Sequence, residues 1–520
     1  MRLLMTHGYM FSGSGSNVYV QNLCRALAGA GHEVHLLCQE PAPLSYDFVD
    51  AHYRVDGEEF SLLGERKTPY PGRCVVYNPE IGGLLPVYVY DEYPGWRVKT
   101  FLDLSEEELE NHLARNAAAV RAVLERSGAE AVVTNHSVPG PLIAQRALRG
   151  TGVPYLSIVH GSCLQYVARR SKRYMDLARE GLEGAGRILA LSSHSAGTIA
   201  EDFPELADRT ISLPGGVDTQ LFRPEALDPA ALAGLKGGAG RGPEQREALA
   251  RALREARGTE ELNAALRSIA ASYDARVHDR DAGERIGRLL ASEGPLVVYV
   301  GKLIHSKGVH SLLSAFARVR AQTGARLLVV GYGTFREGLE ALNVALGTGD
   351  ETNLERLAEL GKLLEGGHAG PLEHFEVSDE LLRAAEGMHD DVEFVGPLYH
   401  EELAKLLPAA DAGVVPSIFP ETFGLVAAEL AASGVVPFVA DHSGLREAGT
   451  IVGRGLPFRL PVGMDRFEER LAGALVRHLS LPVKERNRYR RIVRENTVRH
   501  LGWDTLAGRL VELAREAQRI

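Results

Sequence analysis

Cysteine is scarce in this sequence and shows no pairing pattern: Cys24, Cys38, Cys74 and Cys163 are the four in 520 residues, with no C-x-x-C spacing among them. No disulfide framework is indicated, and free thiols in a reducing cytoplasm are the expectation. The opening MRLLMTHG lacks the apolar core of a secretory signal. No stretch reaches the roughly 18 consecutive apolar residues of a membrane span, so no transmembrane segment is expected. An excess of positive charge is missing too. Lys and Arg number 58 against 68 Asp and Glu, for a net charge of −10. That balance argues against nucleic acid or anionic lipid bound over the whole surface and leaves such roles to a local basic patch. The expected location is cytoplasmic, with peripheral membrane contact only through a patch of that kind.

What is present is a regular alternation of short apolar runs and amphipathic helical stretches, the pattern of parallel α/β architecture. Candidate strands in the first half are RLLMTH (2–7), EVHLLCQ (33–39), AVVTNH (131–136), PYLSIVH (154–160), RILALS (187–192) and TISLP (210–214). The second half offers PLVVYVG (295–301), RLLVVG (326–331), VEFVG (392–396), AGVVPS (412–417) and VVPFVA (435–440). Runs this continuous suit strands covered by helices on both faces. Two sets with a gap between them predict two doubly wound, Rossmann-like parallel-sheet domains, at 1–224 and 293–499. The gap, 225–292, is rich in Ala, Arg and Glu and reads as a helical insertion. A second helical interruption falls at 340–388. Both read as surface decoration, with an oligomer contact or a lid over an acceptor as the alternatives. The last stretch, TLAGRLVELAREAQRI, carries apolar residues at helical spacing, and a helix over about 500–520 is expected to pack back on the first domain.

Three segments could carry chemistry. In PSIFPETFGLVAAELAASG (416–434) a strand ends, a loop presents Glu421, and a helix starts near Phe423, Gly424 and Leu425. Glycine there lets a ligand approach the backbone, and the first helical turn offers free N–H groups to an anion. Glu429, one turn beyond Leu425, leans toward the same place. Two carboxylates and a ring of donors suit a polyhydroxylated, phosphorylated molecule; the plainer reading is a capping Glu421 and a solvated Glu429. In VYVGKLIHSKGVHSLLSAF (298–316) a loop after a strand presents Lys302 and Lys307, suited to diphosphate, though lysines in surface loops are common. It is not a Walker loop. In THGYMFSGSGSNVYVQNLCRAL (6–27), Gly13 and Gly15 could bring N–H groups to a phosphate or sugar. Val18 occupies the third glycine position of a dinucleotide fingerprint, which weighs against an NAD-linked sugar-nucleotide enzyme.

Together these segments resemble the family 4 retaining glycosyltransferases of the GT-B fold. The diagnostic element is Glu-(seven residues)-Glu, met by Glu421 and Glu429. SIVHGS (157–162), LPGGVD (213–218), Lys302 with Lys307, and ADHSGLREA (440–448) support it, in order along most of the chain outside the two interruptions. The resemblance implies a GT-B architecture of two Rossmann-like domains facing a central cleft. It implies transfer of a hexosyl group, with retention, from a UDP-, GDP- or ADP-sugar to a sugar, polyol or lipid-linked acceptor, with no cofactor and no metal. Glu421 would hold donor-sugar hydroxyls and Glu429 the ribose. Gly13, Gly15 and the backbone at Phe423, Gly424 and Leu425 would line the donor. Lys302 and Lys307 would neutralise the leaving diphosphate, and His160 would face the donor sugar. The C-terminal domain would bind the nucleotide sugar and the N-terminal domain the acceptor. Relatives often carry paired glycines where this chain has Ser443-Gly444, and Arg where it has Lys302.

Two further segments are dense in charge. Asp279-Arg280-Asp281 formally matches the D-x-D of metal-dependent glycosyltransferases, but no strand delivers it and it reads as a solvated charge run. GSCLQYVARRSKRYMDLA (161–178) places Arg169, Arg170, Lys172 and Arg173 between Tyr166 and Tyr174. That cluster would suit a phosphorylated acceptor or lipid headgroup, or is a helix face paired with acids such as Asp176 and Glu180. A sugar-nucleotide-binding protein without catalysis is the non-enzymatic alternative. A homo-oligomer formed through the helical insertions is the partner expectation besides substrates; no nucleic acid is expected.

Overall fold

The structure, a computed structural model, describes residues 1–11, 14–90, 93, 95–225, 235 and 238–519. It divides into two compact units, residues 1–216 with 501–520, and residues 217–500.

The first unit is built on a nine-stranded sheet. Across it the strands run Thr210–Ser212, Arg187–Ala190, Tyr155–Val159, Ala131–Asn135, Arg2–Thr6, Glu33–Leu37, Arg73–Pro79, Ala51–Asp56 and Glu59–Glu65. Every neighbouring pair is parallel except the last, an antiparallel hairpin. The six strands expected from apolar runs are all present, and Leu3, Leu4 and Met5 are fully buried between the helical layers. Arg73–Pro79 and the hairpin were not anticipated. Glu59–Glu65 has no continuous buried face, so it lacks the run that marked the others. Its signal is the two-residue turn that Gly57 opens at φ +58°, the conformation such hairpin loops demand. The first strand lies between Glu33–Leu37 and Ala131–Asn135, so the chain leaves it in one direction and later fills the other side. That point, at the carboxyl ends of the strands, is where open α/β sheets bind ligands.

Two helices shape the surroundings of that point. Glu106–Ser127 starts in a reciprocal capping box between Ser105 and Glu108 and stops at left-handed Gly128. It buries Leu109, Leu113, Val120 and Val123 and carries His112 and Asn116. The helix Trp503–Ala517 buries Leu506, Leu510 and Val511 in this same unit, and its Trp503 ring meets the Tyr19 ring edge-on at 5.0 Å.

The second unit has a six-stranded, all-parallel sheet in the order Val392–Phe394, Arg326–Val330, Leu296–Val300, Ala412–Val415, Val436–Ala440 and Pro461–Val462. Five of these six were legible as apolar runs. The sixth is a two-residue strand, too short to show a pattern. The switch point of this sheet lies between Leu296–Val300 and Ala412–Val415. The stretch 225–292 supplies the helices Pro243–Glu255, Thr259–Ala270 and Ala282–Ala291, and 340–388 is helical as well.

Surface decoration does not describe either interruption. The helix Arg336–Thr348 is buried over most of its length, and charged groups tie the insertion to it. Arg336, fully buried, makes a bidentate pair with Asp279 at 2.8 and 2.6 Å and reaches Glu340 at 2.9 Å. Arg241, also fully buried, bonds the same Glu340, and Arg285 joins Glu393 and the Phe394 carbonyl, the latter at 2.8 Å. Burial alone would raise the Glu340 carboxyl, but Arg241 and Arg336 outweigh it and hold it at about 2. The Asp279-Arg280-Asp281 run is therefore not solvated. Asp279 sits at the centre of this network and Asp281 pairs with Arg246.

Removing one partner from a buried, hydrogen-bonded ion cluster leaves the others desolvated and uncompensated, a cost of about 3–5 kcal/mol. Asp279→Ala should thus lower the unfolding midpoint of this unit markedly in thermal or urea denaturation. Glu284→Ala, which removes the mostly exposed Arg288 pair, should cost less than about 1 kcal/mol. Equal midpoints for the two variants would contradict the network's role.

Candidate functional site

In the second unit, three loops at the carboxyl edge of the sheet are knotted together around Glu421. The first follows Leu296–Val300 and ends in a short turn, His305–Lys307, before the helix Val309–Thr323. Gly308 joins them at φ +66°, and a Cβ there would lie 2.1 Å from the Pro416 carbonyl oxygen. Only glycine lets this loop close on the next, where the Ile418 N–H donates to the Ser306 carbonyl at 3.0 Å. Across that seam the Lys307 ammonium donates to Glu421 Oε1, which also accepts from Ser417 Oγ at 2.7 Å.

The third loop holds the Glu421 backbone. The Glu421 N–H donates to Ser443 Oγ at 2.9 Å, and the Gly444 N–H donates to the Glu421 carbonyl at 2.9 Å. His442 Nε2 donates to the Ser417 carbonyl at 2.6 Å, which leaves Nδ1 to accept from Ser443 Oγ at 3.0 Å. Ser443 stands at φ +48°, a left-handed position that glycine takes at no cost. The departure from paired glycines thus has a use here: the hydroxyl fixes the Glu421 backbone. Gly444 keeps its glycine because a Cβ would meet the Thr422 carbonyl oxygen at 2.3 Å.

Gly424, at φ +101°, opens the helix Leu425–Ala432. The Phe423 side chain is buried, so Phe423 can offer a ligand only its backbone, beside that of Gly424 and Leu425. Glu429 lies along this helix, 17% exposed, with His400 Nε2 at 3.4 Å. The hydrogen bond to Glu429 raises the His400 pKa above its ordinary value against the opposing effect of burial. Lys302 is exposed and has no ion-pair partner among the described residues; its carbonyl accepts from Tyr299 Oη at 2.8 Å. Lys307, Glu421, Ser417, Ser443 and the start of the helix at Gly424 therefore share one connected set of loops. Ser417, His442 and His400 were not singled out from sequence, although Ser417 and His442 lie just beyond strand ends, where a polar residue is worth asking about.

In the first unit, His160 ends the strand Tyr155–Val159 and is buried, with Nε2 2.9 Å from Asn135 Oδ1. Burial and then nearby His7 lower its pKa to about 3. His7, lowered by burial to about 4, pairs with Asn17 Oδ1 at 3.0 Å, and the His136 ring lies 4.9 Å from that of His160. These neutral imidazoles gather at the switch point of the sheet. Gly15 is exposed at the start of the helix Gly15–Gly29, which Ser14 caps; Gly13 lies outside the described residues. The arginine cluster does not converge. Arg169 pairs with Asp202 at 2.9 Å, Arg173 with Glu106 at 3.0 Å and Lys172 with Asp176 at 2.6 Å, while Arg170 lies over the Tyr166 ring. All four cysteines are buried and free, and among the described residues no helix is long and apolar enough to cross a membrane.

Two parallel α/β units, each with polar loops at a topological switch point, define a protein of GT-B architecture. The chain belongs to the group 1 glycosyl transferases: residues 14–214 match the glycosyl transferase 4-like domain and residues 294–477 the glycosyl transferases group 1 model. It is 33% identical over 153 residues to the glycogen synthase of Mycobacterium tuberculosis, a match covering 29% of this chain and 27% of that one. It is 24% identical over 525 residues to the MMP alpha-(1->4)-mannosyltransferase of Mycolicibacterium hassiacum, covering 97% and 95%. The Anabaena protein HepE, solved with UDP and glucose, superposes with a TM-score of 0.55 at 12% identity, covering 99% of this chain and all of that one.

The His400–Glu429 contact makes stability depend on pH. A histidine whose pKa is raised on folding contributes most below its unfolded value of about 6.5 and loses the contribution as pH rises through the folded value. Glu429→Gln should therefore lower the melting temperature more at pH 6 than at pH 9. An equal loss at both would mean that the pair does not titrate.

Proposed function

We propose that this chain transfers a hexosyl group from a UDP-, GDP- or ADP-sugar to an acceptor hydroxyl, with retention at the anomeric carbon and without a metal. The observation that carries the proposal is the Lys307–Glu421 pair at the switch point of the second unit, beside an open helix start at Gly424. A carboxylate accepts from sugar hydroxyls, and an ammonium with free N–H groups receives phosphate oxygens. Family membership and the binding of UDP and glucose by HepE support a nucleotide-sugar donor.

In this reading Glu421 holds donor-sugar hydroxyls, Glu429 the ribose, and the backbone of Phe423, Gly424 and Leu425 the sugar and phosphates. Lys302 and Lys307 attend the departing diphosphate. The bond from the anomeric carbon to the diphosphate oxygen breaks, and its electron pair stays with the diphosphate. The acceptor oxygen bonds that carbon on the same face, and its proton passes to the departing phosphate oxygen. Cations and helix-end donors fixed beforehand favour this charge-separated state over the intact donor. Glu421 already satisfies Lys307, so a donor must share or replace that bond. The free thiols and net charge fit a cytoplasmic enzyme.

Glu421→Gln and Lys307→Ala should each lower donor turnover by about a hundredfold or more, the usual loss when a preorganised charge contact is removed. Released nucleotide gives the rate, and near-normal turnover in either variant would contradict that residue's role. Dialysis against EDTA should leave the wild-type rate unchanged. A loss restored only by Mg²⁺ or Mn²⁺ would sink the metal-free mechanism.

A further inference from the structure

The turn that carries Lys307 is held from two sides. Glu421 and the seam to Ile418 hold one. The other meets the stretch 361–378, which joins the helices Glu351–Leu360 and Asp379–Ala385 inside the second interruption. There a short turn, Leu363–Glu365, brings up a half-buried carboxylate. Glu365 Oε1 accepts from the His305 N–H at 2.8 Å, and His305 opens the Lys307 turn. The same carboxyl accepts from the Thr334 side chain, in the loop after the strand Arg326–Val330. Two further bonds fasten the stretch to the first turn of the helix Val309–Thr323. His310 Nε2 donates to the Glu373 carbonyl and Ser311 Oγ to the His374 carbonyl, each at 2.8 Å.

Local sequence explains why the stretch stays there. Gly361 stands at φ +50°, and a Cβ on it would lie 2.1 Å from the Gly370 carbonyl oxygen, so the chain folds back at this point only with glycine. Arg267, on the helix Thr259–Ala270, donates to the Leu363 carbonyl, so the first interruption braces the second. Of the bonds onto the Lys307 turn and its helix, those from Glu373 and His374 use backbone carbonyls, which any residue there supplies. The bond from Glu365 depends on its side chain.

That bond falls where the turn has least hold of itself. Inside it the Lys307 N–H donates to the Ile304 carbonyl and the Gly308 N–H to the His305 carbonyl, both at 3.0 Å. The His305 N–H is at the leading end, where a helical turn has no acceptor of its own. A carboxylate makes the stronger, charge-assisted bond to such a group. We propose that Glu365 is a positioning residue for Lys307, setting through the His305 N–H the angle at which the turn presents the ammonium. A misplacement of about 1 Å at a group that acts on the reacting bond can cost about a hundredfold in rate. The proposal rests on the transferase reading for what Lys307 does; the hold on the turn rests on the geometry alone.

Three substitutions separate geometry from charge. Glu365→Gln keeps an oxygen within reach of the His305 N–H, Glu365→Asp keeps the charge on a side chain one carbon shorter, and Glu365→Ala removes both. Hydrogen–deuterium exchange over residues 303–308 reads the turn, the melting temperature reads the fold, and nucleotide release from UDP-, GDP- and ADP-sugars reads the reaction. We expect Glu365→Ala and Glu365→Asp to speed exchange of the His305 amide by about tenfold, the size of one lost bond to a charged group. Both should lower turnover by about tenfold, while Glu365→Gln stays within about threefold of wild type in both measurements. In a Lys307→Ala background, Glu365→Ala should cost nothing more in turnover, because the group it acts through is already gone. The proposal is overturned by wild-type exchange in Glu365→Ala, or by Glu365→Gln as impaired as Glu365→Ala. Turnover that follows melting temperature across the three, or a full further loss in the double variant, overturns it equally. Should Glu365→Ala not fold, Glu365→Asp and Glu365→Gln carry the same comparison. A wild type that releases no nucleotide from any donor would sink the transferase reading, and the exchange result would still decide whether Glu365 holds the turn.

Discussion

Glu421 is where the second unit's loops become one surface. Its side chain answers to the loop after one strand through Lys307, and to its own loop through Ser417. Its backbone answers to a third loop through Ser443 and Gly444. Loops at the end of a parallel sheet are otherwise independent and mobile. A carboxylate bonded by an ammonium and a hydroxyl gives three of them a common reference. The glycines follow from that requirement. Gly308 and Gly444 stand where neighbouring carbonyls pass too close for any Cβ. Substituting either would separate loops whose convergence places the charge.

The same logic, carried out in a drier setting, explains the helical segments. Arg336, Arg241 and Arg285 with Asp279, Glu340 and Glu393 join the stretch 238–292 to the helix Arg336–Thr348 and to the sheet strand Val392–Phe394. Hydrophobic packing of similar volume can serve stability equally well. What an ion cluster adds is direction: bidentate guanidinium–carboxylate bonds are met in one relative orientation of the helices. The helix Arg336–Thr348 follows Arg326–Val330 directly, beside the central strand that delivers Lys302 and Lys307. Its orientation therefore bears on those loops, as the Phe335 N–H donates to the Leu303 carbonyl at 3.0 Å.

Much of this was legible in the sequence because parallel strands buried on both faces are written as unbroken apolar runs. Every such run proved a strand, with Glu421, Lys302 and Lys307 on the segments that follow two of them and Glu429 on the helix Leu425–Ala432. The hairpin Ala51–Asp56 with Glu59–Glu65 escaped notice because an edge hairpin with an exposed face has no run to read. The ion network escaped because Asp279 and Arg336 are 57 positions apart and each alone looks like a surface charge. The role of Ser443 escaped for a subtler reason. It depends on positive φ, which is set by how the loop closes and not by the residue's own preference. The family pattern pointed to glycine at this position, and only the fold shows what serine does there.

The two switch points differ in electrostatic character, and the difference is one of physical principle. The loops at the second unit's switch point carry two lysines, Lys302 exposed and Lys307 bonded to Glu421. The imidazoles of the first unit are the opposite case. Burial holds His7 near 4, His112 near 4 and His160 near 3, so none is charged at neutral pH. A buried imidazolium there would repel its neighbours and demand a counterion. Kept neutral, each ring has one donor and one acceptor nitrogen. Their protonation on acidification opposes folding. Histidines with lowered folded values withdraw stability as pH falls below the unfolded value of about 6.5 toward the folded one. Neutrality at this switch point is therefore a condition of the native state.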